Sequence, residues 1–169
     1  MSSSTLYKIA TSSSVTGASN TAIISFAQRV NADIATNLNN LTQTTIPIDG
    51  AMITNQTGFA INGSGIELTG ADAYVKCSFS IHVSETFNRG NMTVRLSKNG
   101  VLFGPVAAHG YIRNANGHRE SSYTIGYTWT KMVTGDIITV ESLREAAAGT
   151  ISMASAGTSQ LVLERLVNV

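Results

Sequence analysis

Three histidines, ten acidic residues and one cysteine are the groups with which this chain could hold a metal or move a proton. A metal site needs ligands at short fixed spacing, such as two imidazoles at i, i+4 on a helix or His-x-His on a strand. His82, His109 and His118 fit neither pattern. His82 falls on the polar face of a strand, and His109 and His118 read as exposed loop residues. Glu120, Glu141 and Glu145 could form a carboxylate pair, but nothing in the sequence brings them together; they are expected to be solvated or paired with Arg119 and Arg144. Serine is abundant, yet no G-x-S-x-G elbow holds one as a nucleophile. Gly63-Ser64-Gly65 is not a phosphate loop, because no Lys-Ser/Thr follows it into a helix. These residues predict no catalytic centre, no metal and no cofactor.

The elements that would position such groups are strands. Tyr74 to Val83 alternates strictly, with Val75, Cys77, Phe79, Ile81 and Val83 on one face and Lys76, Ser78, Ser80 and His82 on the other. Only a half-buried strand uses that period. The alternation makes Cys77 a core residue. Met92 to Ser97 repeats the pattern and ends at Lys98-Asn99-Gly100, a hairpin signal. Strands are expected over Ile48–Ile53, Phe59–Ile61 and Ile66–Leu68, the last two around an Asn62–Gly65 turn. Asn88-Arg89-Gly90 is read as a turn, Asn114–His118 as a hairpin tip, and Ala146–Gly149 as a loop. Tyr123, Ile125, Tyr127 and Trp129 alternate with small polar residues, predicting one aromatic face. Such a face suits a subunit interface; the alternative is that the rings fill the interior of one subunit. Ile137–Leu143 and Leu161–Leu166 complete a mainly β chain, an antiparallel jelly-roll sandwich over residues 46–169.

Composition narrows the setting. Charged residues are 12% of the chain and hydrophobic ones 43%, with net charge +1. So little charge suits a surface buried against copies of itself or a scaffold, and the absence of any basic run argues against nucleic acid or an anionic membrane as partner. The Met-Ser-Ser-Ser-Thr start lacks the pattern of a signal peptide, and no apolar run is long enough to span a bilayer. Synthesis in a cytosol is expected.

Residues 1–45 differ from the rest. Residues 1–24 are rich in Ser, Thr, Ala and Asn, with apolar islands at Leu6, Tyr7 and Ile9 and at Ile23 and Ile24. They read as an extended arm that docks on a partner. Ser25 and Gln28 fit a capping box, and Ala27, Val30, Ile34, Leu38 and Leu41 follow at helical steps. A short helix over about 25–41 is expected, its stripe packed on sister helices or on the head; a broken, strand-like linker is the other reading.

Four stretches resemble the tumour necrosis factor-like superfamily, whose relatives include the globular heads of collagen-like complement proteins and many phage virion proteins. Gly70 to Ser80 looks like its "aG-x-Y-x-v-x-f-s-v" strand, and Met92 to Gly100 like its strand into a "kNG" hairpin. Val133 to Val140 is similar to its "l-x-x-GD-x-v-x-v" segment, and Leu161 to Leu166 to its closing "f-x-v-x-r-l" strand. An arm and a short helix stand where a collagen-like tract would precede the head, which favours the phage branch. The resemblance implies a homotrimer of jelly rolls about a three-fold axis, with Tyr123, Tyr127, Trp129, Val30, Ile34 and Leu38 as candidate interface residues.

The expectation is a structural virion protein, a bacteriophage capsid decoration (cement) protein. Its arm, through Leu6, Tyr7, Ile9, Ile23 and Ile24, would grip the major capsid protein or another virion protein at the capsid surface. The alternative is the trimeric knob of a tail or head fibre that binds a host-surface glycan, for which the polar stretch from Tyr111 to Tyr123 would suit sugar stacking.

Overall fold

The structure is a computed structural model that describes residues 22–32, 37–54, 58–107, 110–113 and 119–168. Among these residues there are strands and no helix: β1 (Ala22–Val30), β2 (Thr44–Thr45), β3 (Met52–Thr54), β4 (Phe59–Asn62), β5 (Gly65–Leu68), β6 (Ala73–Lys98), β7 (Val101–Phe103), β8 (Gly110–Arg113), β9 (Glu120–Met132), β10 (Ile137–Met153) and β11 (Gln160–Asn168). All their pairings are antiparallel, and the mainly β jelly-roll sandwich expected from the alternation is found.

The 26-residue β6 is the spine. Its first half, Ala73–Ser84, lies between β11 and β9, and β11 leads on to β1 and β3. Its second half lies between β10 on one edge and β8 and β7 on the other, with β10 carrying β5, β4 and β2. The inward positions of β6 are odd-numbered in the first half and even-numbered in the second, the phase changing where the register with β10 shifts. Val75, Cys77, Phe79, Ile81 and Val83 are buried from the first half, and Met92, Val94 and Leu96 from the second. Ile66, Leu68, Ile138, Val140, Ile151, Leu161 and Leu163 meet them, and Leu38, Ile46 and Ile48 close the core.

Two expected breaks are strand instead. Asn88-Arg89-Gly90 continues β6, and Ala146–Gly149 continues β10; the irregularity signalled by their composition appears as register shifts between Arg144 and Ile151. The small residues accommodate neighbours here. A β-carbon on Gly90 would lie 2.5 Å from Ile151 Cγ1, and one on Gly149 would lie 2.5 Å from the Arg89 carbonyl.

The helix expected over 25–41 is corrected. Residues 25–30 belong to β1, which is paired with β11 from Ala22↔Asn168 to Val30↔Gln160 and with β3 on its other edge. Ser25, Ala27 and Arg29 are buried, while Phe26, Gln28 and Val30 are only partly so. That is period 2, and its inward members include a serine and an arginine, so the apolar stripe at helical spacing was a coincidence of a few positions. Two ladders of backbone bonds outweigh a helix propensity already lowered by asparagines.

Candidate interaction surface

Between β6 and β9 the register slips once. Cys77 faces Thr128 and Phe79 faces Ile125, so Gly126 and Tyr127 together oppose Ser78. This is a β-bulge, and an extra residue inverts the side-chain phase of everything beyond it. Before the bulge Tyr123 and Ile125 point into the core, at 0% and 6% exposure. After it Tyr127 and Trp129 face outward, 62% and 49% exposed, and Met132 points inward. The single aromatic face expected over 123–129 is therefore divided between interior and surface.

Tyr74, 67% exposed, stands on β6 opposite Lys131, and Lys76 stands opposite Trp129. Paired residues share a face, so Tyr74, Tyr127 and Trp129 form an outward aromatic strip with Lys76 among them. The Lys76 ammonium lies 5.5 Å from the Tyr127 ring centroid and 2.6 Å from Glu164 Oε2. These contacts orient the lysine across the strip and contribute little energy in so exposed a place. Val162 and Gln28 continue the face over β11 and β1 to Ile53 on β3, itself 62% exposed. Soluble monomers rarely leave so many large apolar side chains together in water.

The other candidate residues are placed as follows. Tyr123 is fully buried within one chain, where burial, with the nearby Glu145 and Glu85 charges, pushes its hydroxyl up to about 12 despite a backbone hydrogen bond at Met92. Leu38 is also fully buried, and its amide donates to the Ile151 carbonyl at 2.7 Å. Val30 is half-buried on β1. Ile23 and Ile24, read as arm residues, belong to β1, opposite Val167 and Leu166. Leu6, Tyr7, Ile9, Ile34, His109, His118 and the 114–118 tip lie outside the described residues.

Among the described residues no group of three or more His, Cys, Asp and Glu side chains could hold a metal ion. Cys77 is buried, and desolvation pushes its thiol up to about 12, which leaves it unreactive. Glu120 pairs with His82 at 3.3 Å and not with Arg119, and Glu141 accepts from threonines.

Buried charges are what the sequence reading missed. Arg29 is 3% exposed and points from β1 to the β4–β5 turn, donating to the carbonyls of Gly50, Gly63 and Gly65. Arg165 donates to the Ala71 carbonyl and lies over the Phe59 ring, and β-carbons on Gly58 or Gly70 would each meet its guanidinium at 2.5 Å. The signal was present in Arg165, which continues the inward series Leu161, Leu163; Arg29 follows Ala27 in the same way once β1 is read as a strand.

No protein-family model matches the sequence, and no curated protein matches it. Solved structures do. The crystal structure of murine APRIL at pH 8.0 superposes with a TM-score of 0.54 at 14% identity, over 85% of this chain and all of that one. Its pH 8.5 form gives 0.52 at 13% over the same 85%. Eiger TNF from S. frugiperda gives 0.49 at 9%, over 88% of this chain and 94% of that one. The fold is a TNF-like jelly roll. At these identities the likeness is one of fold alone.

Proposed function

We propose that this chain is a structural protein of a virus particle that assembles as a homotrimer, specifically a bacteriophage capsid decoration protein attached through its N-terminal residues to the major capsid protein. The observation that carries the assembly is the outward strip of Tyr74, Tyr127 and Trp129 on the β6–β9 layer. Three large rings in contact with water are costly, and stacking copies of that layer about an axis would dry them while leaving Lys76 and Glu164 to set register. The TNF-like fold agrees with the trimer that the sequence resemblance implies. A charged fraction of 12% supports a life on a crowded particle surface, and the Ser/Thr/Asn-rich residues ahead of β1 are a suitable attachment segment.

Light scattering on dilute purified protein tests the assembly. A mass three times 17.8 kDa is expected, falling to one chain in a Tyr127→Ser/Trp129→Ser variant that keeps its melting temperature in the monomeric state. A monomer in the unmodified protein overturns it.

A further inference from the structure

A concave feature is formed by elements away from the aromatic strip. The β4–β5 turn, the β6–β7 turn, β2 and the outward face of β10 enclose a cleft of about 450 Å³, with Thr45, Asn62, Ser64, Ile137, Thr139 and Glu141 on its walls. Its centre is a carboxylate. Glu141 is only 5% exposed, and its Oε1 accepts from Thr139 Oγ1 at 2.6 Å and from Thr45 Oγ1 at 3.0 Å. Each threonine spends its one hydroxyl proton on Glu141, so toward the cleft both present lone pairs only. Asn62 spends one amide proton on Glu67 Oε2, which leaves its carbonyl oxygen as an acceptor and its second amide proton as a donor. Asn99 has both side-chain groups engaged, with Asp136 and with the Ile137 amide, which fixes its orientation in the wall.

The wall is thus rich in acceptors around Glu141, carries negative charge, offers a few donors at Asn62 and Ser64, and has Ile137 as an apolar patch. A ligand that suits it is rich in donors and not anionic. We propose that this cleft binds a neutral, hydroxyl-rich ligand, a hexose unit of a glycan, with Glu141 accepting from its hydroxyls. The volume accommodates a sugar ring, and pockets of this size serve small ligands generally. The charge-assisted bond to a carboxylate is the strongest polar contact the cleft can make. An acidic sugar is excluded by the same charge. This site is independent of the aromatic strip, so it stands or falls apart from the oligomeric state.

The test is an amide-shift titration of isotope-labelled full-length protein with glucose, galactose and mannose separately, and with glucosamine and sialic acid as further arms. Saturable shifts confined to the two turns and β10 are expected with at least one neutral hexose and none with sialic acid. Glu141→Gln should weaken that binding roughly tenfold, the loss expected for one charge-assisted hydrogen bond. Ser64→Tyr, which fills the mouth from an exposed turn, should abolish it without altering shifts elsewhere, and it serves where Glu141→Gln fails to fold. Absence of saturable shifts with every neutral sugar overturns the proposal. So does binding of glucosamine alone, which would make the cleft an ammonium site, or binding that survives both variants.

Discussion

Asn99 donates its side-chain amide to Asp136 Oδ1 at 2.6 Å, while its own Oδ1 accepts from the Ile137 amide at 2.9 Å. Asp136 Oδ2 accepts from the Val133 amide, and Lys98 lies 3.5 Å away. The Asn99-Gly100 turn and the Gly135-Asp136 turn, far apart in sequence, are thereby locked together at one end of the sandwich. Asn99 is suited to its place for a second reason. Its φ is 52° and that of Gly100 is 81°, the left-handed pair that a two-residue hairpin needs and that asparagine followed by glycine adopts at least cost.

Burial alone would disfavour the Asp136 charge, but the Val133 amide, Asn99 and Lys98 together outweigh it and hold the carboxyl below its ordinary range. For a depressed acid, the stability contributed is full above the unfolded-state value and is lost as pH falls through the folded one. Asp136→Asn should therefore destabilise the protein at neutral pH, by about 1–3 kcal/mol for a hydrogen-bonded buried carboxylate. The deficit should shrink in acid. Urea midpoints at neutral pH and near pH 3 check it; an equal deficit at both removes the charge from the explanation.

How much of this was legible in the sequence follows from which interactions are local. The Lys98-Asn99-Gly100 and Gly135-Asp136 turns, and the inward series from Val75 to Val83, were readable because period and turn chemistry are local properties. The Asn99–Asp136 bond was not, since it joins positions from separate turns. The β1 strand was misread because its inward face carries Ser25 and Arg29, whose partners lie elsewhere in the fold. The aromatic strip was half legible: the rings could be named, but a bulge opposite Ser78 decides which of them are wet, and Gly126 only hints at it. The Glu141 cleft was illegible, because its walls come from four separate elements.

Glu85 predicts the opposite pH behaviour. It is 1% exposed, and burial raises its carboxyl above the usual range, the Gly90 backbone amide offsetting this only in part. A raised acid costs stability above its folded value, and that cost fades as pH falls toward the unfolded value. Glu85→Gln should stabilise the protein at neutral pH by about 1 kcal/mol, since a neutral amide avoids the burial of an uncompensated charge. The advantage should vanish in acid. A lower melting temperature for the variant at neutral pH contradicts this.

Arg29 makes a different kind of contribution. Burial lowers its tendency to hold a proton, with Asp49 opposing that effect, yet a guanidinium stays charged and here caps carbonyls of the β4–β5 turn from across the core. Arg29→Ala strands those carbonyls and should cost about 3–5 kcal/mol, as breaking buried charged contacts does. Arg29→Lys should recover only part, because an ammonium cannot fork to Gly50, Gly63 and Gly65 at once. Denaturant midpoints of the two variants give the order, and equal loss in both denies the fork its role.

The proposed attachment through the N-terminal residues is tested by a truncation that spares the sheet. Ile23 and Ile24 pair with β11, so a cut after residue 24 would remove part of the sheet and confuse folding with docking. Removing residues 1–21 leaves β1 whole. The shortened protein should keep its melting temperature and its oligomeric state, and should lose association with phage particles in sedimentation. Retained association places the attachment surface on the folded head instead.

The bulge at Gly126–Tyr127 can be tested by length as well as by identity. A β-carbon on Gly126 would meet nothing within 4 Å, so Gly126→Ala should change stability by less than about 0.5 kcal/mol, the range of an unencumbered surface position. Deleting Gly126 removes the extra residue, so Ser78 would face Tyr127 alone while Cys77 still faces Thr128 and Phe79 still faces Ile125. Tyr123 and Ile125 then stay inward and Tyr127 and Trp129 outward in plain alternation, and the deletion should melt cooperatively. Inserting an alanine after Gly126 is another matter, because a second extra residue drives one arm of β9 out of phase. Either Tyr127 and Trp129 turn into a core already filled by Cys77, Phe79 and Met132, or Tyr123 and Ile125 turn out of it. Both lose packing, since a displaced large core side chain alone is worth about 3–5 kcal/mol. The insertion should therefore fail to fold cooperatively while Gly126→Ala and the deletion do fold, and an insertion variant that melts like the parent would mean that β9 tolerates either phase.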